Sequence, residues 1–262
     1  MRQYLFHFVF LLLVQLPVFT QESTNPEIVT DRPDQTESPF IVPKNTLQIE
    51  SGFMASFDEN ATRTKSNFVY NSTLLRYGIL ETIELRFIAE YLGEFIDNKE
   101  TGNTSSIKGF SPVTAGIKVF ITEERGIIPQ SAILVHLLFP GTGKDEFSTN
   151  YLGPFFRMTF QHTLSEKFSL GYNIGAEWDG LVPEASAVYS LVLGYSLNEK
   201  IAVFSEFYGD FPEEGKNEHK FDAGFAWLLA NNFQIDLAFG LGINNFAPDK
   251  FITTGISWRI PR

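Results

Sequence analysis

The residues that could carry chemistry in this chain are charged ones set at alternate positions inside otherwise apolar stretches. They are Glu50, Arg76, Glu84, Arg86, Glu90, Lys118, Arg157, Glu177, Glu206, Asp222, Asp236 and Arg259. Acids and bases intermingle among them. That suits either a ladder of ion pairs, since buried charges are usually paired, or a polar conduit that selects solutes by charge. Catalysis is the weaker reading. The histidines are His7, His136, His162 and His219, and no Ser-His-Asp or metal-ligand spacing links them. A hydrolase built on this chain would need a serine and a histidine side by side at one rim. There is no cysteine, which excludes disulfides, thiolate catalysis and Cys-ligated zinc. Gly141-Thr-Gly-Lys144 is too short for a phosphate-binding loop and lacks its first glycine. The acidic run Glu213-Glu-Gly-Lys-Asn-Glu218 lacks the ligand spacing of a dedicated calcium site and reads as a solvated loop. No catalytic residue, metal or cofactor is expected.

An alternation of period two positions these charges. Phe168, Leu170, Tyr172, Ile174, Ala176 and Trp178 alternate with Ser169, Gly171, Asn173, Gly175 and Glu177. A strand throws successive side chains to opposite faces, so this one has a greasy face and a wet one. Ala185 to Leu197 repeats the pattern. Both runs are long for soluble strands but suit tilted strands crossing a bilayer, which need about 9–11 residues. Further strands are expected at Thr46–Phe57, Val69–Ile79, Ile83–Leu92, Val113–Ile121, Ser131–Phe139 and Pro154–His162, then at Ile201–Gly209, Phe221–Leu229, Phe233–Leu241 and Ile252–Ile260. The connections alternate short and long. Short ones fall at 80–82, 122–126, 163–167, 198–200 and 230–232, and 93–110 is expected to be a long polar loop. Short periplasmic turns with longer outer loops mark transmembrane barrels.

The reading is therefore all-β: a transmembrane antiparallel β-barrel of about twelve strands in a bacterial outer membrane, residues 46–262. Aromatics make up 15% of the chain, which fits girdles at the two interfaces. An Arg or Lys on the lipid face costs about 2–4 kcal/mol at the midplane, so the charges above must face inward. Met54, Phe68, Ile88, Phe120, Leu134, Phe155, Phe204 and Tyr208 share that inward face. A mixed interior suits a moderately hydrophobic solute better than a wide water-filled pore, and simple filling of the lumen would also explain it. The formal net charge of -11 argues against nucleic acid. The expected partners are outer-membrane lipid and a small solute, with the chain a monomer. A barrel that only displays its loops, without transport, is the alternative.

Two segments precede the barrel. Residues 1–20, with Arg2 and then an apolar run from Tyr4 to Leu16, read as a signal peptide. Residues 21–45 are irregular: Pro26, Pro33, Pro39 and Pro43 keep them out of strand pairing, and Asp31, Arg32, Asp34 and Glu37 carry both signs of charge. A barrel of about twelve strands leaves central space that water or a plug must occupy. Asp31 to Ser38 is the candidate, with Asp31 and Asp34 expected on wall arginines and Arg32 on Glu50 or Glu84. A disordered leader is the alternative.

Several runs carry a family resemblance: Thr30-Asp-Arg-Pro-Asp-Gln-Thr-Glu-Ser38, Val42-Pro-Lys-Asn-Thr-Leu-Gln-Ile-Glu-Ser-Gly-Phe53, Leu74-Leu-Arg-Tyr-Gly-Ile79 and Ile83-Glu-Leu-Arg86. With Leu138-Phe-Pro-Gly-Thr-Gly143 and Phe221-Asp-Ala-Gly224, they span nearly the whole mature chain. The sequence resembles the outer-membrane transporters linked to the meta-pathway of phenol degradation. That resemblance implies a monomeric outer-membrane barrel assigned to uptake, with no catalytic residues to carry over. The expected function is passive uptake of small, moderately hydrophobic solutes, aromatic ones among them.

Overall fold

The computed structural model describes residues 26–260; the expected signal peptide, with His7, lies outside the described residues, as do 21–25 and the last two positions. The strands are β1 (Leu47–Glu59), β2 (Arg63–Leu80), β3 (Ile83–Asn98), β4 (Asn103–Phe110), β5 (Thr114–Thr122), β6 (Gln130–Leu138) and β7 (Gly153–Thr163). They continue with β8 (Phe168–Glu177), β9 (Ser186–Ser196), β10 (Ile201–Pro212), β11 (His219–Ala230), β12 (Phe233–Gly242) and β13 (Lys250–Arg259). All ladders between them are antiparallel, and β13 pairs with β1, so the sheet closes on itself. Two strands share one partner: β4 pairs with Tyr91–Asn98 of β3, and β5 with Ile83–Ile88. They form one interrupted stave, so the barrel has twelve. The break falls at Ser111-Pro112-Val113, where proline has no N–H to give the ladder.

The expected alternation places the faces. Ile174 is 54% exposed and Leu191 44%, both on the lipid side, while their neighbours Asn173 and Ser190 are buried in the lumen. Aromatic side chains pair across strands on the outer surface near the short-turn end, Phe168 with Tyr195 at 4.7 Å and Phe160 with Tyr172 at 4.9 Å between ring centroids.

Two expectations are corrected. Residues 93–110 are not a loop. The upper part of β3, a turn at 99–102 and β4 fill that span, because Asn, Thr and Ser are acceptable on strands wetted beyond the barrel. Phe68, expected in the lumen, faces outward. Val69 pairs with Leu92 and Asn71 with Tyr91, so Tyr70 is an extra residue against β3. One inserted residue exchanges the faces of everything beyond it. Val69 therefore turns inward opposite Met54, and Phe68 joins Phe53, Phe57 and Phe95 on the lipid side.

Residues 26–45 run inside the enclosed space. Ile28 donates its N–H to the carbonyl of Asn231, in a short turn, at 2.8 Å. The chain then rises to mid-lumen at Asp31–Glu37 and descends again. Val42 N–H reaches Glu84 Oε2 at 2.9 Å, and Asn45 N–H reaches the Gly78 carbonyl at 2.6 Å, just before β1.

Candidate functional site

The lumen-facing charges of β1, β2, β3 and β5 converge on one buried cluster. Arg76 forms ion pairs with Glu84 and Glu50 at 2.8 Å each, and Arg86 pairs with Glu84 at 2.9 Å. Asp31 enters at the centre. Its Oδ2 accepts from Lys118 Nζ and Arg86 Nη1 at 2.7 Å each and lies 3.1 Å from Arg76 Nη1. Its Oδ1 accepts from the Ser38 N–H at 3.0 Å and the Ser38 hydroxyl at 2.7 Å. Glu37 adds a third carboxylate on Arg86, 3.0 Å away. Burial alone would raise the Asp31 carboxyl, but Arg76, Lys118 and Arg86 together hold it well below the usual carboxylate range. The two oxygens of Asp31 thus serve different ends, one on three cations of the wall and one closing its own segment into a loop.

The other side of the segment meets acids. Arg32 was expected on Glu50 or Glu84; instead its guanidinium takes Asp236 at 3.0 Å and donates to Thr253 Oγ1 at 3.1 Å. The reason lies in the wall. Gly52 and Gly255 are register partners on β1 and β13, and a Cβ on either would fall onto that guanidinium. The glycine pair opens a slot that leads Arg32 to β12. Next along, the Gln35 N–H reaches Glu206 Oε2 at 2.8 Å, and the Thr36 hydroxyl hydrogen-bonds both Glu206 Oε1 and, at 2.8 Å, Ser190. Asn173 brackets Glu37, accepting from its N–H at 2.8 Å and donating to its carbonyl at 3.0 Å.

Not every expected charge joins a pair. Asp34, expected on a wall arginine, forms no ion pair among the described residues. It lies near Glu206 and Asp222, and burial followed by repulsion from Glu206 raises its carboxyl well above the usual range. Glu90, Glu177 and Asp222 also have no ion-pair partner among the described residues, and both Asp222 oxygens are buried without a hydrogen bond. Arg259 donates to the carbonyls of Pro26 and Glu27, and Arg157 to that of Gln35 at 2.8 Å. The wall is therefore one dense cluster and several isolated charges, rather than a ladder. Thr36, Ser190, Asn173, Thr253, Gln48 and His136 complete the network and are not among the site residues the sequence points to. Gln48 donates to Glu50 Oε1 at 2.8 Å, and His136 Nε2 accepts from Arg86 Nε at 2.9 Å. Their signal was present: each is a polar residue in the inward phase of its strand or in the proline-rich segment.

Cavities lie on both sides of the raised segment. One, of about 340 Å³, opens toward the long-loop end and is walled by Met54, Val69, Leu74, Ile88 and Arg157. The other, of about 420 Å³, lies toward the short turns against small residues such as Gly171, Gly194, Ala202 and Ala226. Arg32, Pro33, Asp34 and Glu37 border both.

A closed sheet with an apolar outer face, aromatic pairs at its edge and charges turned inward is a β-barrel of the outer-membrane class. The chain belongs to the family described as "Putative MetA-pathway of phenol degradation", whose model matches residues 30–260. Among solved structures it is similar to an outer membrane channel from Pseudomonas putida F1, with 12% identity and a TM-score of 0.62 over 84% of this chain and 97% of that one. It is also similar to the transport unit of the autotransporter AIDA-I from Escherichia coli, with 7% identity and a TM-score of 0.53 over 90% of this chain and 93% of that one. No curated protein sequence matches the chain.

Proposed function

We propose that this barrel is a passive uptake channel for small, moderately hydrophobic solutes, aromatic compounds included, and that residues 26–45 act as a plug that narrows it. The observation that carries the reading is the pair of cavities meeting at Arg32–Asp34 and Glu37. Solute would pass beside the segment, which is bonded to β1, β2, β3 and β5 on one side and through Gln35, Thr36 and Glu37 to β8–β10 on the other, and then along the small residues of β8–β11 below it. The mixed lining favours solutes that are neither fully polar nor fully apolar. The family description and the channel from Pseudomonas putida support the same reading.

Planar-bilayer recording of the purified full chain, together with uptake of phenol and toluene by a deletion strain, tests the proposal. The chain should conduct, and deleting residues 22–43 behind an intact signal peptide should raise its conductance. A correctly inserted barrel that neither conducts nor restores uptake would instead favour a display protein. Unchanged conductance after the deletion would remove the plug and leave the channel.

A further inference from the structure

The outer cavity contains a cation that the protein leaves uncommitted. Arg157 projects from β7, and its Nη1 donates to the Gln35 carbonyl at 2.8 Å. Its Nε is buried with no partner, and among the described residues it forms no ion pair. The contrast with Arg76, Arg86 and Lys118 is sharp, since each of those holds at least two carboxylates. A guanidinium stays charged and can only donate. Held among protein groups, it favours any site-bound oxygen that brings a negative charge, above all a carboxylate taken by two parallel N–H groups. Phe155 lies under it, 4.5 Å from guanidinium carbon to ring centroid, and His136 stacks on the same ring at 5.5 Å. The ring fixes the plane of the guanidinium and so the direction of its free donors.

One side of the cavity is apolar, with Met54 on β1, Val69 and Leu74 on β2, and Ile88 on β3, and the rest of its lining is polar or charged. Its volume of about 340 Å³ lies within the range of small-molecule sites, roughly 300–1,000 Å³. Resting on the uptake reading above, we propose that this cavity is a recognition subsite for a small aromatic monocarboxylate, its carboxylate on Arg157 and its ring against Met54, Val69, Leu74 and Ile88. Five acids border the space; Asp31, Glu37 and Glu50 are paired with wall cations, and Asp34 and Glu90 are not. They limit the solute to a single negative charge. Asp34 resists ionisation through its burial and the nearby Glu206, which lessens its opposition to an anion.

Permeation of benzoate and of benzamide, its neutral counterpart of nearly the same shape, into proteoliposomes containing the full chain tests the assignment. Wild type should pass benzoate faster than benzamide. Arg157→Gln should lower the benzoate-to-benzamide ratio about tenfold, the loss of one charge-assisted bond, with little change for benzamide. Arg157→Lys, which keeps the charge and loses the fork, should fall between them. Insertion of each variant is checked by heat-modifiable gel mobility. A wild-type ratio of one or less, or an unchanged ratio in inserted Arg157→Gln, overturns the subsite while benzamide entry keeps the channel reading intact. Entry of neither compound through wild type overturns both.

Discussion

Asp31→Asn removes the one carboxylate of the segment that touches Arg76, Arg86 and Lys118 together. The substitution keeps the shape. If the asparagine oxygen faces Lys118, Arg86 and Arg76, its NH₂ meets the Ser38 N–H, donor against donor; turned round, the NH₂ meets three cations. Neither orientation satisfies both sides. Breaking a buried ion pair by removing one partner costs about 3–5 kcal/mol, because the opposite charge stays behind. Glu37, Glu50 and Glu84 remain to share those cations, so the lower end of that range applies. At 1.4 kcal/mol per decade, about 3 kcal/mol raises the undocked population roughly 100-fold. Cleavage of a transiently open segment follows that population when reclosing is fast. A glutamate-specific protease acting after Glu37 should therefore cut inserted Asp31→Asn about 100-fold faster than wild type, and single-channel conductance should rise with it. Asp34→Asn is the control, since Asp34 forms no ion pair; it should be cut no faster. Equal cleavage of wild type and Asp31→Asn in inserted protein would refute the docking argument.

Leu191→Arg should abolish outer-membrane insertion, at a cost of about 2–4 kcal/mol on the lipid face, whereas Ser190→Arg should insert but displace Thr36 and raise conductance; insertion assays separate the two. Gly255→Val fills the slot that holds Arg32 and should loosen the segment by about tenfold in the same protease assay, the value of one lost charge-assisted pair of about 1.5 kcal/mol. The pH response should follow two carboxyls of opposite sign. Asp34 is held above its ordinary range, so its contribution to docking is present below that range and is lost as pH rises through the raised value. Asp31 is held below, so its contribution is lost only in acid beneath the ordinary range. Protease protection should thus weaken toward alkaline pH, and Asp34→Asn should flatten that slope.

Faces were legible in the sequence wherever a strand kept its phase. Ile174 beside Asn173, or Leu191 beside Ser190, can only be sorted one way in a bilayer, and the structure sorts them so. Phe68 was misread because the bulge at Tyr70 is a backbone event with no compositional mark; nothing in Val69-Tyr70-Asn71 announces an extra residue. Closure into twelve staves followed from the strand count, yet the splitting of one stave at Pro112 could be seen only in the ladders. Arg32 was harder still. Its partner Asp236 stands 204 positions away, and the choice among Glu50, Glu84 and Asp236 is made by two opposed glycines whose registry is a property of the closed sheet. Asp31 was easier to place, since three cations on neighbouring staves left a carboxylate few other destinations.

The split stave has a consequence for how the molecule meets its neighbours in the membrane. Among the described residues, barrel closure satisfies every strand edge but one: β4 is bonded to β3 alone, and past the single bond from the Lys144 N–H to the Phe110 carbonyl its far side has no ladder partner. Free backbone edges invite strands from other chains, and proteins blunt them with short length, polar side chains and lysine. β4 has all three. It is eight residues long, its Asn103-Thr-Ser-Ser106 run is exposed, and Lys108 sits 5.0 Å from the ring centroids of both Tyr70 and Phe95. The residue that bulges β2 thus also anchors the lysine on this edge. Crowded among other barrels, the protein presents its one open seam in a form that discourages sheet-to-sheet fusion.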